Sequence, residues 1–139
     1  MTFKLNIRYE INRAITAEQF VELLRRSTLA ERRPVDDATC ITAMLLHANL
    51  LVTAWYDERL VGVARSITDF AYCCYLSDLA VDEIFQKQGI GKELIRLTQA
   101  QLGPRAKVIL LAGPKAEGYY PNIGFEAHGS AWVLTGGKM

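Results

Sequence analysis

Leu76-Ser77-Asp78-Leu79-Ala80-Val81-Asp82-Glu83-Ile84-Phe85-Gln86-Lys87-Gln88-Gly89-Ile90-Gly91-Lys92 decides how the rest of the chain is read. Its first part is apolar and β-prone, and its last part is a glycine-containing turn that opens a helix. A strand, a loop and a helix N-terminus in succession make an anion site. The first N–H groups of a helix have no partner inside it, and the aligned peptide dipoles leave partial positive charge there. A phosphate or diphosphate docks on such amides without any special side chain. Gly89 and Gly91 permit its approach, because side chains there would hold it away from the backbone. Lys87 and Lys92 add charge that opposes the helix dipole unless an anion is present.

Residues 71–81, which include the apolar part of this stretch, predict a strand longer than the usual ~5–6 residues. A strand that long often carries a bulge, which re-aims the backbone. Upstream, residues 50–56 and 60–68 read as two strands joined by Asp57-Glu58-Arg59, a connection short enough for an antiparallel hairpin. Residues 3–9 alternate Phe3, Leu5, Ile7 and Tyr9 with Lys4, Asn6 and Arg8, the pattern of a half-buried strand. Thr16 and Gln19 have the spacing of a capping box, opening a helix with Phe20, Leu23, Leu24 and Ser27 inward. Residues 29–35 read as a loop, and Asp36 or Asp37 caps a second helix with Ile41, Met44, Leu45 and Ala48 at helical spacing. Downstream, the helix after Gly89 runs to Leu102 and stops at Gly103-Pro104. Residues 107–112 form a short strand, which a right-handed crossover lays parallel to the strand over 71–81. A short helix over 115–120 and short final strands at 125–127 and 131–134 complete the order β-α-α-β-β-β-α-β-α-β-β. This predicts an α/β chain with a mixed sheet and helices on both faces.

At 139 residues the chain fits one domain, and its 50% hydrophobic content suffices for a core. A net charge of +1 gives no reason to expect nucleic acid. No apolar run approaches the ~20 residues of a membrane helix, and residues 1–5 lack the apolar core of a signal peptide. Cys40, Cys73 and Cys74 make neither a disulfide framework nor a metal spacing, so free thiols in a reducing cytoplasm are expected. His47 and His128 are isolated, and no metal site is expected.

Gln86-Lys87-Gln88-Gly89-Ile90-Gly91 resembles the pyrophosphate loop of the GNAT superfamily of acyl-CoA N-acyltransferases. Asp78-Leu79-Ala80-Val81 is similar to the strand preceding that loop, and Lys92-Glu93-Leu94-Ile95 to the start of the helix after it. Tyr119-Tyr120-Pro121-Asn122-Ile123-Gly124-Phe125 resembles the family's aromatic-Tyr segment ending in Gly-Phe. The resemblance covers roughly residues 50–134 and matches the predicted order of elements. It departs from the family pattern at Gln86, where Arg is commoner, and at Ala112-Gly113-Pro114, which lacks a nearby Asn.

The resemblance implies acetyl-CoA as cosubstrate, lying where two parallel strands splay apart. Leu79, Ala80 and Val81 would make main-chain contacts to the pantetheine arm, as an added strand does. The span from Gln86 through Lys87, Gln88, Gly89, Ile90 and Gly91 to Lys92 would hold the diphosphate. The acceptor is a small-molecule amine or a protein amine, attacking directly in a ternary complex. A lysine-like amine with a pKa of ~10.4 is neutral in only about one molecule in a few thousand at pH 7, so a proton must be removed. Asp78 is the first candidate base, ahead of Asp69 and Glu83; the alternative is that Asp78 pairs with an arginine such as Arg65. Tyr120 takes the general-acid position for the leaving thiolate, or else packs as an aromatic. In the resembled fold the first helix pair borders the acceptor side, so Arg25, Arg26, Glu31, Arg32, Arg33, Asp36 and Asp37 are candidates for selecting it; the alternative for the arginine cluster is a solvated face. A homodimer is expected. The rival reading is a CoA-binding sensor without turnover; a nucleotide site fits less well, because Gly89-Ile90-Gly91 lacks the rest of a dinucleotide or P-loop fingerprint.

Overall fold

A computed structural model describes residues 6–116 and 118–137. Strands β1 (Arg8–Ile11), β2 (Leu50–Tyr56), β3 (Arg59–Thr68), β4 (Cys73–Val81) and β5 (Lys107–Ile109) form one sheet in sequence order. All neighbours are antiparallel except β4 and β5, which are parallel as the crossover requires. Helices α1 (Ala17–Arg26) and α2 (Ala38–His47) cover one face, where Phe20, Leu23, Leu24 and Ile41 meet Trp55, Leu60, Val63 and Ala80. Helix α3 (Ile90–Ala100) covers the other, with Ile90, Leu94 and Ile95 against Leu50, Val52, Ala54, Val61, Ala64 and Leu76. The central strand β3 is therefore buried on both sides for most of its length.

Local chemistry sets several boundaries. The Thr16 side chain accepts from the Gln19 N–H at 3.0 Å and the Gln19 side chain accepts from the Thr16 N–H at 2.9 Å, closing the capping box at α1. Asp37, of the two candidates, caps α2 through the Cys40 N–H. Gly62 lets α3 lie close on the sheet: a Cβ there would stand 3.0 Å from Leu94 and 3.1 Å from Ile90. Asp69 closes the turn between β3 and β4 by accepting from the N–H groups of Cys73, Tyr72 and Ala71, which hold its carboxyl down at about 2. A depressed folded-state pKa stabilises above the unfolded value of ~3.9, and the effect is lost as pH falls toward 2. The melting-temperature gap between the native chain and Asp69→Ala should thus be widest at neutral pH and close between pH ~4 and ~2. A gap that persists unchanged at pH 2 would sink this account.

Several expectations need correction. The first paired strand is Arg8–Ile11, displaced toward the helix from the predicted 3–9, whose beginning lies outside the described residues. Arg59 already belongs to β3, so the hairpin turn is Asp57-Glu58, with Asp57 left-handed at φ 51°. The predicted loop at 29–35 contains a 3-10 turn, Leu29–Arg32. The predicted helix at 115–120 is replaced by 3-10 turns at Pro114–Ala116 and Pro121–Ile123. The predicted strands at 125–127 and 131–134 do not form, and Trp132, Val133 and Leu134 are exposed. A short β-prone run becomes a strand only where it finds a pairing edge. Phe125 instead packs its ring edge-on against Tyr120, which holds that segment by side chain rather than by ladder.

Candidate active site

Strand β4 pairs with β5 only over Cys73, Cys74 and Tyr75. From Leu76 onward, among the described residues, no strand pairs with its outer edge, while its inner edge stays paired to β3 as far as Val81. The strand ladder is therefore open along the outer edge of residues 76–81. The opening coincides with a bulge: Arg65 faces Asp78 and Ser66 faces Leu76, leaving Ser77 as the extra residue. A sheet edge with unpaired amides and carbonyls is a template for an extended ligand.

At the end of the same strand stands the N-terminus of α3. Its first internal hydrogen bond runs from the Glu93 N–H to the Gly89 carbonyl, so the amides of Ile90, Gly91 and Lys92 have no partner within the helix. Lys87, Gln88, Gly89 and Lys92 are exposed around them, with only Ile90 turned into the core. Lys87 and Gly89 adopt left-handed backbone, at φ 64° and 84°. The entry to the loop is fixed by Asp82, whose buried carboxylate accepts from the Ile84 N–H and from Arg59 at 2.7 Å. Gln86 turns back and donates to the Val81 carbonyl at 3.0 Å, so its side chain braces the loop against β4.

Asp78 lies at the bulge, as its position in the strand suggested, and it is fully buried. One carboxylate oxygen accepts from Arg65 and the other from Arg33. Both guanidiniums are further engaged. Arg65 donates to the Met44 carbonyl at 3.1 Å and the Ser77 hydroxyl at 2.9 Å, and Arg33 to the Ser77 and Arg32 carbonyls at 2.8 and 2.9 Å. The arrangement is the arginine pairing that was the alternative to a base, with a second arginine added. Asp69 and Glu83 lie elsewhere: Asp69 is occupied by the turn amides described above, and Glu83 begins the 3-10 turn at Glu83–Phe85.

Tyr120 is half-buried, packed edge-on between Tyr119 and Phe125. Burial raises its pKa above the ordinary value of 10, the neighbouring Tyr119 adds to this, and the Arg33 guanidinium opposes it. The phenol therefore stays protonated through the neutral range. Tyr119 sends its hydroxyl across to α3, where it would stand 2.8 Å from a Cβ at Gly91. A side chain at Gly91 would displace the Tyr119 hydroxyl. The Arg32 guanidinium lies over Gly113, where a Cβ would meet it. Asp82 had no assigned place in the site, and Arg32 and Arg33 were candidates only for selecting the acceptor, not for pairing with Asp78 or lying over Gly113. The adjacent Arg32-Arg33 pair was the one available sign, since loop arginines reach far from their backbone. Among the described residues no cluster of His, Cys, Asp and Glu could hold a metal ion, and no helix is long and apolar enough to cross a membrane.

A sequence model described as an Acetyltransferase (GNAT) domain matches residues 11–137. "Histone acetyltransferase TAP1" of Glycine max is 37% identical over 76 residues, covering 51% of this chain and 32% of the relative. "GCN5-related N-acetyltransferase 2, chloroplastic" of Arabidopsis thaliana is 34% identical over 76 residues, covering 51% and 28%. The chain thus spans about a third of the length of these curated relatives. Among solved structures, a GNAT family acetyltransferase of Streptococcus pneumoniae superposes with a TM-score of 0.71 at 23% identity, covering 93% of this chain and 98% of that one. The aminoglycoside N-acetyltransferase AAC(6')-Iy in complex with CoA does so with a TM-score of 0.70 at 16% identity, covering 94% of each. At these identities the two structures show the shared fold.

Proposed function

This chain belongs to the GNAT acetyltransferase family, and on that premise we propose that it moves an acetyl group from acetyl-CoA to a primary amine within a single domain. The observation that carries the reading is the meeting of two features at Val81 and Gly91, where a Cβ on the glycine would lie 3.7 Å from the valine side chain: an unpaired strand edge and the free amides of a helix N-terminus. Their chemistry fits an extended arm ending in a diphosphate. Leu79, Ala80 and Val81 would take the arm along the edge, and the Ile90, Gly91 and Lys92 amides the diphosphate, with Lys87 and Lys92 adding charge. Gln86 braces the loop in this reading, and Gln88 leads into the amides.

When bound, the cosubstrate supplies a thioester activated toward amines. The chain's part is to orient, to exclude water and to manage protons. Tyr120 is the proposed general acid for the departing sulfur, supported by its protonated phenol and its place beside Arg33. Asp78 is proposed as a strut for the bulge, not a base, because both its oxygens already accept from arginines and no solvent reaches it. The acceptor's proton then leaves through water at the open edge of β4.

Two measurements test the reading together. CoA should raise the melting temperature in proportion to the logarithm of its concentration, with NAD and ATP much weaker. Amine-dependent release of free thiol from acetyl-CoA should then separate an enzyme from a CoA sensor. A shift with CoA but no thiol release from any amine would favour the sensor; no shift at all would remove the CoA site.

A further inference from the structure

Tyr119 stands where the open edge of β4 ends and the free amides of α3 begin. A Cβ built on Gly91 would lie 2.8 Å from the Tyr119 hydroxyl and 3.7 Å from the Val81 side chain. Val81 is the last paired residue of β4, and Gly91 carries one of the unpartnered amides at the start of α3. Covalent geometry separates a Cβ from its own amide nitrogen by about 2.5 Å, so the hydroxyl lies within roughly 5 Å of the Gly91 nitrogen. Among the described residues this hydroxyl has no hydrogen-bond partner. The ring is held edge-on against Tyr120, with centroids 5.3 Å apart. A phenylalanine would make the same ring contact, so packing gives no use to the O–H. Burial raises the Tyr119 pKa above its ordinary value of 10, and the phenol therefore stays protonated and able to donate at neutral pH.

We propose that the Tyr119 hydroxyl is a further cosubstrate-binding group, donating a hydrogen bond to the diphosphate seated on the α3 amides. The proposal rests on the acetyltransferase reading and adds a residue to its diphosphate site. A diphosphate carries oxygens on two phosphorus centres, so one group can meet the amides while another meets the phenol. Lys87 and Lys92 supply charge from exposed, flexible stems. Tyr119 supplies direction, because a ring already packed against Tyr120 loses little freedom when a ligand arrives. Fixing the diphosphate beside Val81 also sets how far the arm runs back along β4, and hence where the thioester comes to lie.

The test measures CoA affinity by calorimetric titration of the full chain in four forms: native, Tyr119→Phe, Gly91→Ala and the double variant. Tyr119→Phe should bind CoA about 10- to 100-fold more weakly, the loss expected when a hydrogen bond to a charged group is removed. Its ligand-free melting temperature should stay within about 2 °C of the native chain, since no internal bond is broken. Gly91→Ala displaces the hydroxyl and should weaken CoA as well. The double variant should bind like Tyr119→Phe alone, because the new Cβ then meets only the ring, at 3.6 Å. Pantetheine, which has the arm without the diphosphate, should bind Tyr119→Phe no more weakly than it binds the native chain. Unchanged or tighter CoA binding in Tyr119→Phe, equal losses for CoA and pantetheine, losses that add in the double variant, or a clear fall in ligand-free melting temperature overturns the proposal. Tyr119-dependent CoA binding without thiol release from acetyl-CoA would uphold the hydroxyl's role and overturn the acetyltransferase reading, whereas a native chain that does not bind CoA overturns both.

Discussion

Tyr120→Phe should lower kcat by about 10²- to 10³-fold while leaving the affinity for CoA within a factor of about two, since the loss of a positioned proton donor falls in that range. The substitution keeps the ring, so the edge-on contacts with Tyr119 and Phe125 survive and folding is undisturbed. The pH profile provides a second check. Burial pushes the Tyr120 phenol above its ordinary value, so the acid form persists across the neutral and mildly alkaline range. The native rate should climb with pH as the acceptor amine loses its proton, and should not turn down from Tyr120 ionisation below pH ~10. An unchanged kcat in the variant would reduce Tyr120 to a packing residue.

Asp78→Ala should be the most destabilising single change in the site. It leaves Arg65 and Arg33 facing each other in the interior without the carboxylate that separates them. Removing one partner from a buried pair costs about 3–5 kcal/mol, most of it the penalty on the abandoned charge. For a chain of this size that corresponds to a fall in melting temperature of about 10 °C or more. Asp78→Asn keeps an acceptor oxygen and should lie between the native chain and alanine. The outcome also separates two roles for the residue. A strut lowers stability in both variants, with activity tracking the folded fraction. A base would leave Asp78→Asn as stable as the native chain yet inactive, and that result would return the catalytic role to Asp78.

The strand, the bulge and the helix start at the candidate site were legible where they depend on local backbone geometry. A strand running into Gln86-Lys87-Gln88-Gly89-Ile90-Gly91 is a local pattern, and the helix it opens starts at Ile90. Its free amides follow from helix geometry alone. The bulge could be expected from strand length, and it falls at Ser77-Asp78. The fate of Asp78 could not be chosen from sequence. Arg33 lies 45 positions away and Arg65 lies 13 away, and only packing of the α1–α2 connection onto the sheet brings both to one carboxylate. Tyr119 shows the same limit, because its contact with Gly91 joins two segments that sequence spacing does not relate.

By itself the sequence determined the types of the elements through β5, the capping of α1 and α2, the parallel placement of β5 and the free amides at the α3 N-terminus. Each depends on periodicity or on hydrogen bonds between residues a few positions apart. The tertiary structure alone decided how far β5 accompanies β4, whether the final β-prone runs become strands, and which charges neutralise one another at the bulge. Those outcomes turn on which distant edges and side chains meet, a property of packing that no local pattern encodes.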